Sequence, residues 1–263
     1  YAKMLKAHIE TGADCTIAAI EVPMKEASRF GILNTNPDGS IYQFEEKPKQ
    51  PKSNLASMGI YIFTAQKLFD YLEADEQNPD SSKDFGKDVL PAMLNAGEKM
   101  FSYRFEGYWK DVGTISSLWE ANMELLGEEP VFDVADPDWK IHSRNPLAPP
   151  EYIGDKAQVG NSMIALGCEI EGVVEHSVLA SNVVVEEGAE VRDSVIMAGT
   201  VIKKGAKVLY SIIDENVTVE EGAVVGDPQE AGKGIAVLGR QITIGKDAKV
   251  EGGKILDQDY KGE

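Results

Sequence analysis

The sequence predicts two domains of different class, a mixed α/β domain followed by an all-β prism of stacked coils. Three observations carry this. Between residues 170 and 225 aliphatic side chains recur at Ile170, Val185, Val191, Ile196, Ile202, Val208, Ile213, Val219 and Val225. After Val185 the steps run 6, 5, 6, 6, 5, 6 and 6, so every third step closes a unit of 17 residues. On that unit Gly188, Gly205 and Gly222 fall in register, as do Ser177, Ser194 and Ser211, whereas the first half has no such period and mixes helical patterns with β-rich runs.

The chain opens on a helical pattern with Met4, Leu5, His8 and Ile9 along one face, and Gly12 supplies its stop. Residues 14–22 (DCTIAAIEV) read as a buried strand closed by Pro23. A short helical turn near 25–28 leads to RFGILNT, then to the turn Asn36-Pro37-Asp38-Gly39 and the strand SIYQFEE at 40–46, together a hairpin signal. After the KPKQPK loop come an apolar strand at 57–64 and helices at 65–75 and 84–97, with Pro91 kinking or restarting the second. Residues 101–107 read as a strand with 108–114 as its extension and exit. A helix at 114–127 follows, with Thr114 as N-cap and Ile115, Leu118, Trp119, Met123 and Leu126 on one face.

The stretch 128–150 is rich in Pro, Asp and Glu without any period, so the expected organisation is a domain at 1–128, a linker at 129–150 and the prism at 151–257. In the prism, an aliphatic residue about every six positions with glycine and polar residues between them means short strands and tight turns. Three strands per coil bury one continuous aliphatic column, into which Val191, Ile196, Ile202, Val208, Ile213 and Val219 should point. A leucine-rich repeat needs closer leucines, and an amphipathic helix needs a 3.6-residue period. The pattern resembles the left-handed parallel β-helix of hexapeptide repeats. Residues 226–243 break the period and are expected to protrude as a loop before a last coil at 244–250.

With 26 basic and 44 acidic residues the net charge is −18, which argues against nucleic acid or an anionic membrane surface as partner. No apolar run approaches the ~20 residues of a membrane span and no signal peptide precedes the fold, so a cytoplasmic location is expected. Cys15 and Cys168 fall in different domains, which predicts a reducing compartment with no structural disulfide and Cys168 as a small buried hydrophobe.

Several short motifs occur in order: RFGI at 29–32, FEEKP at 44–48, NLASMGIYIF at 54–63, SSKDFGKD at 81–88 and EGYWKDVGT at 106–114. Each has an ordinary explanation of its own: a solvated loop lysine, a strand-end serine, or a carboxylate favoured near a helix N-terminus. In this order, and followed by hexapeptide repeats, they resemble the glucose-1-phosphate adenylyltransferases of bacterial glycogen synthesis, in particular the catalytic-type subunit. The resemblance runs from the first residue to about 257. The family pattern has His where this chain has Lys83. The glycine-rich nucleotide loop and the GDH-type aspartate motif of the family precede the position of Tyr1. The resemblance therefore implies an incomplete, Rossmann-like nucleotidyltransferase domain, which is expected to be inactive alone.

The same resemblance implies that Gly31, Glu46, Lys47 and Ser57 contact α-D-glucose 1-phosphate, and that Asp111 holds Mg²⁺ and acts with Lys47 in catalysis. The residue types suit those roles. Lys47 offers a point charge to a phosphate, Glu46 accepts from sugar hydroxyls, Ser57 is a small donor and acceptor, and Gly31 lets backbone approach closely. Arg29 is a candidate phosphate neighbour, or else a surface partner of Glu26 or Asp14. ATP is the implied second substrate, ADP-glucose and pyrophosphate the products, and a homotetramer or a hetero-oligomer with a regulatory subunit the implied assembly. Two other classes fit parts of the sequence. One is a non-catalytic sugar-phosphate-binding or regulatory subunit. The other is a hexapeptide acyltransferase using His176 as base, the one histidine of His8, His142 and His176 inside the clear repeat.

Overall fold

A computed structural model of the chain describes residues 1–134, 141–143 and 147–262. It divides into two compact units, Tyr1–Gly107 and Tyr108–Glu263. The family-like boundary expected at 128 and the compact division therefore differ, because the segment 108–128 packs within the second unit.

In the first unit, helix α1 (Ala2–Thr11) ends where Gly12 adopts a left-handed φ of 59° and its N–H reaches the carbonyls of His8 and Ile9. Its buried stripe is narrower than the expected face: Met4 and His8 are buried, whereas Leu5 and Ile9 are exposed. His8 Nδ1 lies 2.8 Å from Thr16 Oγ1, and burial holds the imidazole pKa below its ordinary value against the raising effect of Asp14. Strands β1 (Cys15–Glu21), β2 (Gly31–Thr35), β3 (Ile41–Glu46), β4 (Leu55–Phe63) and β5 (Met100–Arg104) form one mixed sheet in the order β3-β2-β4-β1-β5. The β2–β3 hairpin forms as expected, paired from Gly31 with Glu46 to Thr35 with Ile41. Cys15, Ile17, Leu33, Leu55, Leu90, Met93 and Met100 make the core.

Helix α2 (Ala65–Gln77) follows β4. The single helix expected over 84–97 is instead a π-helical turn, Phe85–Val89, running into α3 (Leu90–Asn95). Pro91 falls in the first turn of α3, where a missing N–H costs nothing, so the helix restarts there. The strand expected to continue through 108–114 stops at Arg104. Gly107 turns the chain with a φ of 143°, a region closed to residues with a Cβ, and 108–113 form neither helix nor strand.

The second unit begins with that segment and helix α4 (Ile115–Met123). Thr114 caps the helix and forms a reciprocal box with Ser117, as expected of the cap. Residues 129–134, 141–143 and 147–150 carry no helix or strand, and the remainder of the expected linker lies outside the described residues. The prism then runs from β6 (Tyr152–Ile153) to β23 (Ile255–Leu256) as three parallel sheets of six strands each. Its neighbours sit one 17-residue coil apart. Val174, Val191, Val208 and Val225 pair in turn on one face, Leu179, Ile196 and Ile213 on the second, and Val185, Ile202 and Val219 on the third. All six side chains expected in the column, from Val191 to Val219, are fully buried. Cys168 lies among them as a free thiol, and Cys15 is the other.

The interruption is shorter than expected. Strand β20 (Ala236–Leu238) already pairs with the coil below, and Ile213 to Leu238, Val219 to Ile244 and Val225 to Val250 are each 25 residues apart. One short insertion around the 3₁₀ turn Gln229–Ala231 accounts for the jump, after which the period resumes and continues to Leu256. The serine register is a hydrogen-bonded ladder: Ser177 Oγ accepts from Ser194 N–H and Ser194 Oγ from Ser211 N–H, both at 3.1 Å. These hydroxyls satisfy amides inside the prism that strand pairing leaves over.

Candidate functional site

Within the first unit, the β2–β3 pairing brings Gly31 opposite Glu46, and Lys47 follows directly. The Glu46 carboxylate sits in a slot between two glycines. A Cβ built on Gly31 would lie 2.9 Å from Glu46 Oε2 and 2.5 Å from the Phe44 ring, and one on Gly86 would lie 2.6 Å from Glu46 Oε2. Gly31 thus makes room for side chains, and its φ is not in the left-handed region. Lys47 takes a φ of 47°, donates its backbone N–H to Phe30 O at 3.1 Å, and holds Nζ 3.7 Å from Glu46 Oε1 with two thirds of its side chain in solvent. The unusual backbone turns the ammonium and the carboxylate to the same side.

Ser57, almost fully buried on β4, accepts from Gly59 N–H at 3.2 Å and hydrogen-bonds the Tyr61 hydroxyl. Burial raises the Tyr61 pKa, the Ser57 bond lowers it, and the charges of Glu46 and Asp84 raise it further. Tyr61 stacks on Phe85 at 5.7 Å, and Asp84 caps the turn by accepting from Gly86 and Lys87 N–H. Gly31, Glu46, Lys47 and Ser57 thus gather around one polar slot. Gly86, Asp84 and Tyr61 complete it, and sequence reading did not single these three out. Their motifs were in hand, but the closeness of Gly86 to Glu46 exists only in the fold. Lys83, where the family pattern has His, has a φ of 60° and donates to the carbonyls at the end of α2. Arg29 stacks over Phe30, with 5.7 Å from guanidinium carbon to ring centroid.

Asp111 belongs to the second unit. It is exposed, and its Oδ1 accepts from Gly113 N–H at 3.2 Å. Among the described residues no group of three or more His, Cys, Asp or Glu side chains is arranged to hold a metal. A single exposed carboxylate nonetheless fits Mg²⁺, which takes one or two carboxylates and completes its octahedron with water and substrate phosphates. Tyr108 and Lys110 flank it and are tied to α4. Tyr108 Oη donates to Glu124 at 2.5 Å, and Lys110 Nζ lies 2.9 Å from both Glu120 and Glu124. Burial and then the bond to Glu124 push the Tyr108 hydroxyl up to about 12.

His176, the base an acyltransferase would need, occupies a prism corner with a φ of 46°. Its Nδ1 is 2.7 Å from Asp193 Oδ1, and its ring meets the edge of Trp119. It is thus part of the seat on which α4 rests.

Comparison with known proteins agrees with this architecture. Residues 1–128 match the Nucleotidyl transferase family model, and residues 150–244 match the model "GlmU-like, C-terminal hexapeptide". The chain is a nucleotidyl transferase domain followed by a left-handed β-helix of hexapeptide repeats. Its curated relatives include proteins named glucose-1-phosphate adenylyltransferase from Bacillus thuringiensis (strain Al Hakam) and Bacillus anthracis, each 60% identical over 194 residues. A protein of the same name from Bacillus mycoides (strain KBAB4) is 59% identical over 194 residues. Each alignment covers 74% of this chain and 52% of the relative, so the chain spans about half the length of the relatives it matches. Among the described residues no helix is long and apolar enough to cross a membrane.

Proposed function

We propose that this chain is the sugar-phosphate-binding and β-helical part of a glucose-1-phosphate adenylyltransferase, which joins ATP and α-D-glucose 1-phosphate into ADP-glucose and pyrophosphate. The observation that carries the reading is the 60% identity to relatives of that name over a stretch of 194 residues. The Glu46 slot supports it chemically. Its carboxylate, fixed between Gly31 and Gly86, can accept from the hydroxyls of a sugar, and the adjoining ammonium of Lys47 can meet the sugar's phosphate. Ser57 and Tyr61 offer two further hydroxyls at the same place.

Asp111 would hold Mg²⁺, which when bound supplies positive charge against the phosphates of the nucleotide. The enzyme's own groups then bind and orient: Lys47 holds the sugar phosphate, Glu46 fixes the ring, and their shared slot sets the direction of the attacking phosphate oxygen. Glycogen synthesis in the cytoplasm is the setting, with assembly as a homotetramer or with a regulatory subunit.

The test is Lys47→Ala in the intact enzyme. The KM for glucose 1-phosphate should rise about 100-fold or more while that for ATP changes little, because the lost contact is to the sugar phosphate alone. Equal effects on both substrates would move Lys47 out of the sugar site and take the reading of the slot with it.

A further inference from the structure

Asp111 stands on a stretch that has no backbone ladder of its own. Residues 108–113 form neither helix nor strand, and Asp111, Val112 and Gly113 are exposed. What fixes this stretch is a chain of side-chain contacts within the second unit. Tyr108 and Lys110 reach back to Glu120 and Glu124 on one side of α4, and the Tyr108 ring stacks on Phe132 at 5.3 Å.

The other side of α4 lies on the prism. Trp119 Nε1 donates to the Asp193 carbonyl at 2.7 Å and its ring meets Tyr210 edge-on at 4.9 Å. Trp119 and Met123 share an apolar cluster with Val195, Ile212 and Ile235. Asp193 and Tyr210 stand 17 residues apart, at the same corner of successive coils, and both take left-handed φ, 49° and 43°. That corner projects a carbonyl and a ring where an ordinary turn would not. A helix of nine residues is marginal without a tertiary anchor, so this seat decides whether α4 holds its shape.

We propose that the prism is the mount of the metal-binding segment, and that Trp119 is the positioning residue through which the β-helix sets the place of Asp111. This rests on the assignment of Asp111 to Mg²⁺ made above. A metal ligand must be held to within about 0.5 Å of its productive place, and an exposed loop carboxylate gets that precision only from its supports. The prism would then serve the reaction directly as well as forming a domain of its own.

The experiment compares the parent with Trp119→Phe, which keeps a ring but loses the N–H, with Trp119→Ala, and with Tyr210→Asn, which removes the ring from the prism side at a position where Asn tolerates the backbone. Hydrogen exchange in this chain reads the mount without any metal or turnover. The amides of 108–113 should exchange about tenfold faster or more in Trp119→Ala and Tyr210→Asn, with Trp119→Phe between, while amides of 185–225 stay protected and report an intact prism. In the intact enzyme the same variants should need about tenfold more Mg²⁺ for half-maximal rate, with the KM for glucose 1-phosphate little changed.

Unchanged exchange at 108–113 in both Trp119→Phe and Tyr210→Asn would overturn the mount. Faster exchange with an unchanged Mg²⁺ requirement would overturn the positioning role. Normal turnover in Asp111→Asn is a different failure: it would remove Asp111 from the metal site, and the exchange data would then describe the seat of a helix only.

Discussion

Gly31 and Gly86 matter for the side chain each one lacks. The space a methyl group would take at Gly86 is held by the Glu46 carboxylate, and at Gly31 by the Phe44 ring as well. The two positions should therefore respond differently to alanine. In Gly86→Ala the obstructing atom is the end of a flexible side chain, so the melting temperature should stay near the parent's. The KM for glucose 1-phosphate should nevertheless rise about tenfold as Glu46 swings away. If melting falls and the KM does not, Gly86 is a packing residue only. Asp111→Asn keeps shape and removes charge. In the intact enzyme it should lower kcat by about 100-fold or more with glucose 1-phosphate binding nearly intact, since the charge it steadies develops as pyrophosphate leaves. Calorimetry of glucose 1-phosphate beside a turnover assay separates the two quantities. Of the slot, Gly31, Glu46, Lys47 and Ser57 were legible as motifs. Gly86 and Tyr61 were not, because their meaning is a distance to Glu46 across the fold.

At the scale of elements, the repeat was the most legible feature. A 17-residue period in sequence became a 17-residue offset in every pairing of the regular coils, and Ile202 is fully buried between its neighbours Val185 and Val219. Ile202→Asp should unfold the prism, since an unpaired buried charge costs several kcal/mol, comparable to a domain's whole stability. Circular dichroism melting that matched the parent would contradict the register.

The seat of α4 was also present in the sequence but harder to see. One face of the prism carries apolar doublets, Val178-Leu179, Val195-Ile196, Ile212-Ile213 and Val237-Leu238, with the second residue in the column and the first outside. The other faces carry Glu190, Lys207 and Thr218 at the outer place. An outward apolar stripe on one face announces a covering element, but does not say which element covers it. The same ambiguity made 108–114 read as the end of a strand, because Tyr-Trp alternation looks like β until the partners of Tyr108 and Lys110 are known.

Those partners also give a pH dependence. Burial would raise the Glu124 pKa, but the hydrogen bonds from Tyr108 and Lys110 hold it below its ordinary 4.5, while the bonds to Glu120 and Glu124 hold Lys110 above 10.5. A lowered carboxyl stabilises the fold above its ordinary pKa and is lost as pH falls through the lowered value. A raised amine stabilises below its ordinary pKa and is lost as pH rises through the raised value. The tie between 108–110 and α4 should therefore hold from about pH 5 to 10 and loosen on either side. The indole N–H resonance of Trp119 should be constant across that window. Movement of it near neutral pH would mean that the tie does not brace the helix.

At the scale of the whole molecule, the sequence and the fold agree on two architectures but divide the chain at different places. The nucleotidyl transferase match runs to residue 128, through α4, whereas the compact unit ends at Gly107. The reason is physical: α4 is short, and the apolar surface open to it is the outer stripe of the prism. A chain with a net charge of −18 also has to bind two anionic substrates, so local cations such as Lys47 must act against the general field.

The measurement that tests the account most directly is product analysis of the intact enzyme given glucose 1-phosphate with ATP, with each other nucleoside triphosphate, and with acetyl-CoA in place of nucleotide. The account predicts ADP-glucose and pyrophosphate in equal amounts with ATP, far less product from other nucleotides, and no acyl transfer. A preference for another nucleotide, or acetyl transfer without pyrophosphate release, would contradict it.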